Sequence, residues 1–160
     1  MFADFVSKTN CLNFQDYPKG LPRIFTKLLK PVLAKLREEG HTLLIYFDDS
    51  LIQGETRELC EEAVARSAEL FDSLGFTIHP RKSVFAPTQI IEFLGFVLDS
   101  RSMTVSLTHT KSAKLKQRCI DILQTDILSI QSLAEWIGHL VAALPGVLFG
   151  TIFIKRLEIL

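Results

Sequence analysis

Leu43-Leu44-Ile45-Tyr46-Phe47-Asp48-Asp49-Ser50-Leu51-Ile52 is the stretch whose reading decides the fold. Five apolar, strand-forming residues run into two adjacent carboxylates, and a second short apolar piece follows at once. The pattern predicts strand, tight turn, strand, with both aspartates at the tip. Hard divalent cations take carboxylate oxygens, so paired acids on a rigid turn are candidate metal ligands. Solvated turns also use Asp, because its side chain bonds the nearby backbone. The tetrapeptide by itself leaves both readings open.

Outward from this hairpin, the flanking segments carry helical spacing. Upstream, Ile24, Phe25, Leu28, Leu29, Val32, Leu33 and Leu36 form one apolar stripe over Leu21 to Glu39. Pro22 suits the first turn of that helix, Pro31 should kink it, and Gly40 is its stop. Downstream, Thr56 is a cap for a helix running to Leu74, with Cys60, Ala63, Val64, Ser67, Phe71 and Leu74 inward. Phe76-Thr77-Ile78 and Ser83-Val84-Phe85 read as short strands. Ile90 to Leu98 leans to β, with Met103-Thr104-Val105 pairing back on it. After Thr108 only helical stripes remain. Leu115, Cys119, Ile122 and Leu123 mark one, and Leu133, Ile137, Leu140, Val141 and Leu144, capped by Ser129, mark a second. Residues from Leu148 onward read as a third helix, and Met1 to Gly20 as irregular.

Composition bounds what such a chain does. Its 160 residues, 48% hydrophobic, suit one packed domain with at most a small appendage. Zero formal net charge excludes a uniformly basic nucleic-acid binder. The charge is uneven, however. Phe76 to Arg118 holds seven Lys or Arg (Arg81, Lys82, Arg101, Lys111, Lys114, Lys116, Arg118) against Glu92 and Asp99. Such a block is either a solvated face or a phosphate-binding one. Cys11, Cys60 and Cys119 are odd in number and far apart, which predicts neither a disulfide framework nor a zinc site, and an intracellular setting. No signal peptide is expected. Trp136 to Ile154 lacks charge, but Pro145-Gly146 cuts it and His139 lies within it, so no membrane span is expected.

Four motifs in order carry a resemblance. Tyr46-Phe47-Asp48-Asp49 resembles the Y-x-D-D motif of reverse transcriptases. Leu74-Gly75-Phe76, then Lys82-Ser83-Val84-Phe85, then Phe93-Leu94-Gly95-Phe96 resemble the rest of that family's palm. Tyr17-Pro18-Lys19-Gly20-Leu21-Pro22-Arg23-Ile24-Phe25 looks like a shortened form of the nucleotide-site motif L-P-x-G-L-S-S-A-P-x-x-F, without S-S-A. Ile137-Gly138-His139-Leu140-Val141 resembles the thumb or connection leading to ribonuclease H in retrotransposon polymerases, DIRS-like or of a related LTR type. The resemblance runs from about Pro18 to Leu157.

It implies an α+β fold: a polymerase palm-like antiparallel sheet with packed helices, then an all-helical segment. The regions implied are 1–20 irregular, 21–107 palm-like, and 108–160 thumb- or connection-like. It implies RNA-directed DNA synthesis by two-metal phosphoryl transfer with Mg2+ or Mn2+, on an RNA/DNA primer–template with dNTPs. Asp48 and Asp49 would bind metal, and Lys82 would stand near the nucleotide phosphates as a further catalytic group. Tyr46 and Gly20 would lie at the incoming nucleotide, and Phe93, Leu94, Gly95 and Phe96 would form the primer grip.

The same comparison shows a departure. The family's further catalytic aspartate precedes the L-P-x-G motif, where this chain offers only Asp4 and Asp16. The expectation is therefore a fragment without fingers, ribonuclease H region or first catalytic aspartate, inactive in isolation. The alternative is a palm–thumb remnant that at most binds nucleic acid or protein. A palm sheet without its first strand would also present an unpaired edge.

Overall fold

Phe5, Val6 and Thr9, aromatic or β-branched, favour extended backbone and draw Phe5–Asn10 into a strand, β1. The computed structural model describes residues 5–10, 22–125 and 127–157. After β1 come α1 (Pro22–Glu38), β2 (Thr42–Tyr46), β3 (Asp49–Gly54), α2 (Arg57–Ser73) and β4 (Val84–Thr88). Then follow β5 (Ile90–Phe93), β6 (Phe96–Asp99), β7 (Thr104–Leu107), α3 (His109–Leu123), α4 (Ile130–Ala143) and α5 (Gly150–Leu157). The α+β expectation holds: an antiparallel sheet with packed helices precedes a purely helical segment.

The irregular reading of the first residues is corrected by β1. It lies inside a four-stranded sheet of order β2-β3-β1-β4, antiparallel to both neighbours. The expected open edge is therefore filled, and among the described residues the sheet's edges are β2 and β4. Sequence reading missed β1 because Asn10, Asn13 and Asp16 broke the apolar pattern, whereas ladder pairing needs only the short run before them.

Period two gives the sheet two faces. Ser7, Leu43 and Ile52 point to one, where α1 and α2 cover them. Leu29, Val32 and Leu36 of α1 meet Ala63, Val64, Leu70 and Phe71 of α2 over Leu43 and Ile52. Val6, Lys8, Leu44, Tyr46, Asp49 and Leu51 share the opposite face. Only part of that face is covered, where Val6 and Leu51 pack on Ile91 and Phe93 of β5. Leu44 and Tyr46 stay open to solvent.

Local signals set the helix ends. Thr56 Oγ1 accepts from the Leu59 N–H at 3.2 Å and starts α2. Arg66 grips both oxygens of Glu39 at 2.7 and 2.9 Å and reaches Glu69 at 2.9 Å, tying α2 to the end of α1. That fork holds the Glu39 carboxyl below the usual carboxylate range. Leu74, expected inside, is half exposed because α2 has already ended, and Leu70 takes the inward place. Phe76-Thr77-Ile78 does not form a strand. Its three residues lie between Gly75 and Pro80, and Phe76 instead packs edge-to-face on Phe71 at 5.9 Å.

Helix α2 approaches β3 so closely that a side chain at Gly54 has no room. A Cβ there would stand 2.5 Å from the Cys60 nitrogen and 2.7 Å from its Cα, both backbone atoms. Gly54→Ala is expected to destabilise the fold by about 1–3 kcal/mol through overpacking. A lowered urea midpoint at unchanged slope is the expected readout, and an unchanged midpoint would refute the close packing.

β5, β6 and β7 form a second antiparallel sheet, and the β6–β7 hairpin is the one the sequence predicts. Thr108 caps α3 and Ser129 caps α4, each accepting from the backbone N–H three residues on. These helices build little core. None of the α3 residues is buried, and only Ala143 is buried on α4. The predicted stripe residues Leu123, Leu133 and Val141 are exposed. Among the described residues no helix is long and apolar enough to cross a membrane.

Candidate functional site

The hairpin between β2 and β3 turns on two residues, Phe47 and Asp48. Phe47 has a left-handed backbone (φ 54°) and Asp48 does not, the pattern of a type II′ turn. A bulky residue in that place costs about 1–3 kcal/mol, and its persistence marks a site worth reading for function. The Phe47 ring packs edge-to-face against Tyr46 at 4.7 Å. Only Asp48 lies in the turn and is exposed. Asp49, expected beside it at the tip, is instead the first residue of β3 and half-buried.

The sheet register surrounds Asp49. Tyr46 is opposite it on β2 and Asn10 opposite it on β1. Lys8, two residues along β1 on the same face, brings Nζ to 3.5 Å from Asp49 Oδ1. Both side chains are about a fifth exposed (22% and 23%), so bulk solvent screens the pair only in part.

A two-metal centre needs carboxylates converging on both ions. Among the described residues no cluster of three or more His, Cys, Asp or Glu side chains is arranged to hold a metal ion. Asp49 faces a lysine ammonium. The described residues therefore do not fit the implied metal pair. Asp4, Asp16 and Gly20, with most of the Tyr17–Phe25 motif, lie outside the described residues.

The other sequence candidates fall elsewhere. Lys82 is exposed in the turn before β4, its backbone N–H bonded to the His79 carbonyl at 3.2 Å. Phe93-Leu94-Gly95-Phe96 is the hairpin joining β5 to β6. Leu94 (φ 51°) and Gly95 (φ 78°) both turn left-handed, as a type I′ turn requires. Phe93 is buried against Val6 and Leu51, which couples this turn to the carboxylate-bearing sheet. Phe96 carries the Lys111 ammonium 3.8 Å above its ring centre.

Lys111 leads to a feature the sequence reading did not assemble. A cleft of about 440 Å³ opens between α3 and α4, lined by Lys111, Lys114, Gln117, Arg118 and His139. Among the described residues no carboxylate lines it. The spacing of Lys111, Lys114 and Arg118 put them on one helical face and was available as a signal. What the spacing could not supply is the opposing wall from α4. Lys8 was missed with its strand.

A profile of the family described as reverse transcriptase (RNA-dependent DNA polymerase) matches residues 19–98. No curated protein matches the sequence. Among solved structures, a foamy viral protease-reverse transcriptase dRH in complex with dsDNA matches at TM-score 0.67 and 18% identity, over 99% of this chain and 31% of that one. A foamy viral protease-reverse transcriptase in complex with RNA/DNA hybrid matches at TM-score 0.60 and 15% identity, over 88% and 21%. The same protein in complex with dsDNA matches at TM-score 0.61 and 17% identity, over 88% and 33%. At these identities the likeness is one of fold, and the chain spans at most a third of the solved chains.

Proposed function

Since the chain belongs to the reverse transcriptase (RNA-dependent DNA polymerase) family, we propose that it acts as a primer–template-binding palm and thumb-like segment. The observation that carries this is the cleft between α3 and α4, where Lys111, Lys114, Arg118 and His139 line the walls with Leu115, Ala142 and Ala143, and no carboxylate is among the described lining residues. Cations spaced along one helix face suit successive backbone phosphates. The nucleic-acid complexes of the foamy viral proteins support the same reading. In it, Phe93–Phe96 meets the primer strand, and Tyr46 lies beside the position of an incoming dNTP. Lys82 faces the phosphates of that dNTP, and Asp48 and Asp49 are the palm's metal-directed carboxylates.

RNA-directed DNA synthesis with Mg2+ or Mn2+ then requires a further carboxylate beyond the described residues and finger regions, and the parent element would add a ribonuclease H region. The order of Tyr46–Asp49, Lys82–Phe85 and Phe93–Phe96 supports a retroelement polymerase, DIRS-like or of a related LTR type.

Fluorescence anisotropy with a labelled RNA/DNA primer–template tests the binding, and primer extension with dNTPs and Mg2+ or Mn2+ tests the chemistry. The expected result is binding that weakens steeply with salt and no extension. Absence of salt-dependent binding would overturn the reading. Extension that disappears in Asp48→Ala would replace it with a polymerase complete in this chain.

A further inference from the structure

We propose that Lys8 is a built-in counter-cation for Asp49, occupying the place at the hairpin where a divalent metal ion would be held. This rests on reading the Asp48-Asp49 hairpin as the palm's metal-directed element. β1 pairs on both sides, with β3 and with β4, so the Lys8 backbone is fixed in the sheet and only the side chain can move. Directly opposite Lys8 is Leu51, and Asp49 is its diagonal neighbour on the same face. Diagonal neighbours lie within reach of a long side chain, and the ammonium indeed comes to 3.5 Å from Oδ1.

A divalent ion binds carboxylate oxygen at roughly 2.0–2.6 Å. An ion seated on Oδ1 would therefore stand within a few ångströms of the Lys8 ammonium. Two like charges that close, each only partly hydrated, exclude one another. The ammonium is tethered and always present, whereas the metal ion must be taken from solution and stripped of water. Charge count favours the same outcome. Asp48 and Asp49 bring two negative charges, Lys8 cancels one, and no group of three or more His, Cys, Asp or Glu side chains among the described residues supplies the ligands a metal ion would need. The face of the sheet that carries Tyr46 and Asp49 is thus internally neutralised at Asp49.

Mn2+ titration of the full chain without nucleic acid, followed by electron paramagnetic resonance of free Mn2+, tests this. The wild-type chain is expected to show no saturable site below about 1 mM. Lys8→Met keeps the apolar stem and removes the charge, and it is expected to bind Mn2+ at least about tenfold more tightly. Adding Asp49→Asn to Lys8→Met should abolish that gain, and Lys8→Arg should behave as wild type. Lys8→Gln, checked with Lys8→Met by circular dichroism, guards against a folding artefact. Equal Mn2+ affinity in wild type and both neutral variants overturns the proposal. So does a gain that survives Asp49→Asn. Failure of duplex binding in the anisotropy assay would sink the nucleic-acid reading without touching this titration, so the two are separable.

Discussion

Phe71→Ala is expected to remove about 3–5 kcal/mol of folding stability, a large share of what a domain of this size possesses. Phe71 is 1% exposed, the largest fully buried side chain among the described residues. It stands where the inner face of α2 meets α1 and the covered face of the sheet, with Phe76 edge-to-face on its ring. Truncation removes the apolar transfer term and leaves a cavity in the cluster that Phe71 shares with Leu36 of α1 and Ile52 of β3, residues fixed in other elements that cannot all collapse inward. Leu74→Ala is the matched comparison. That side chain is 50% exposed and should change stability by no more than about 0.5 kcal/mol. Urea unfolding followed by circular dichroism reads both. Similar midpoints for the two variants would mean that α2 docks through a different face.

Lys114→Ala combined with Arg118→Ala is expected to flatten the salt dependence of duplex binding. Each phosphate contact contributes about 0.9 to the slope of log affinity against log salt for a B-form duplex, so the double variant should lose about 1.8. The loss should be alike for all sequences, since phosphate contacts carry no base information. Lys116→Ala provides the contrast, because Lys116 lies on α3 but does not line the cleft. Anisotropy across a salt series, with fold confirmed by circular dichroism, is the measurement. An unchanged slope in the double variant, or an equal drop in Lys116→Ala, would move nucleic acid away from the cleft.

The hairpin and the α2 helix were legible in the sequence for a physical reason. Their determinants are local: five apolar residues before a turn, a threonine cap, and inward residues at three-to-four spacing. The hairpin of β6 and β7 was legible on the same terms. β1 was not, because its place depends on Gly54 and Thr88, partners far along the chain that no local window contains. The cleft was half legible. One helix face announced Lys111, Lys114 and Arg118, but the wall bearing His139 and Ala143 depends on how α4 packs. At the carboxylate site, the sequence pointed to Asp48 and Asp49 and could not reveal that Lys8 would be carried beside Asp49 by strand register.

The interior position of β1 also sets the order in which the chain can assemble. It precedes its sheet partners in the chain, and Val6 has to wait for Thr88 before both of its neighbours exist. The β2–β3 hairpin and the flanking helices close short loops and can form early, whereas β1 adds only contacts of long sequence separation. Folding should therefore be slowest at the step that inserts β1. Until then the β3 flank is open, and a nascent strand of another chain can pair there in its place. The Lys8–Asp49 pair forms only at that step, so it reports that the sheet has closed.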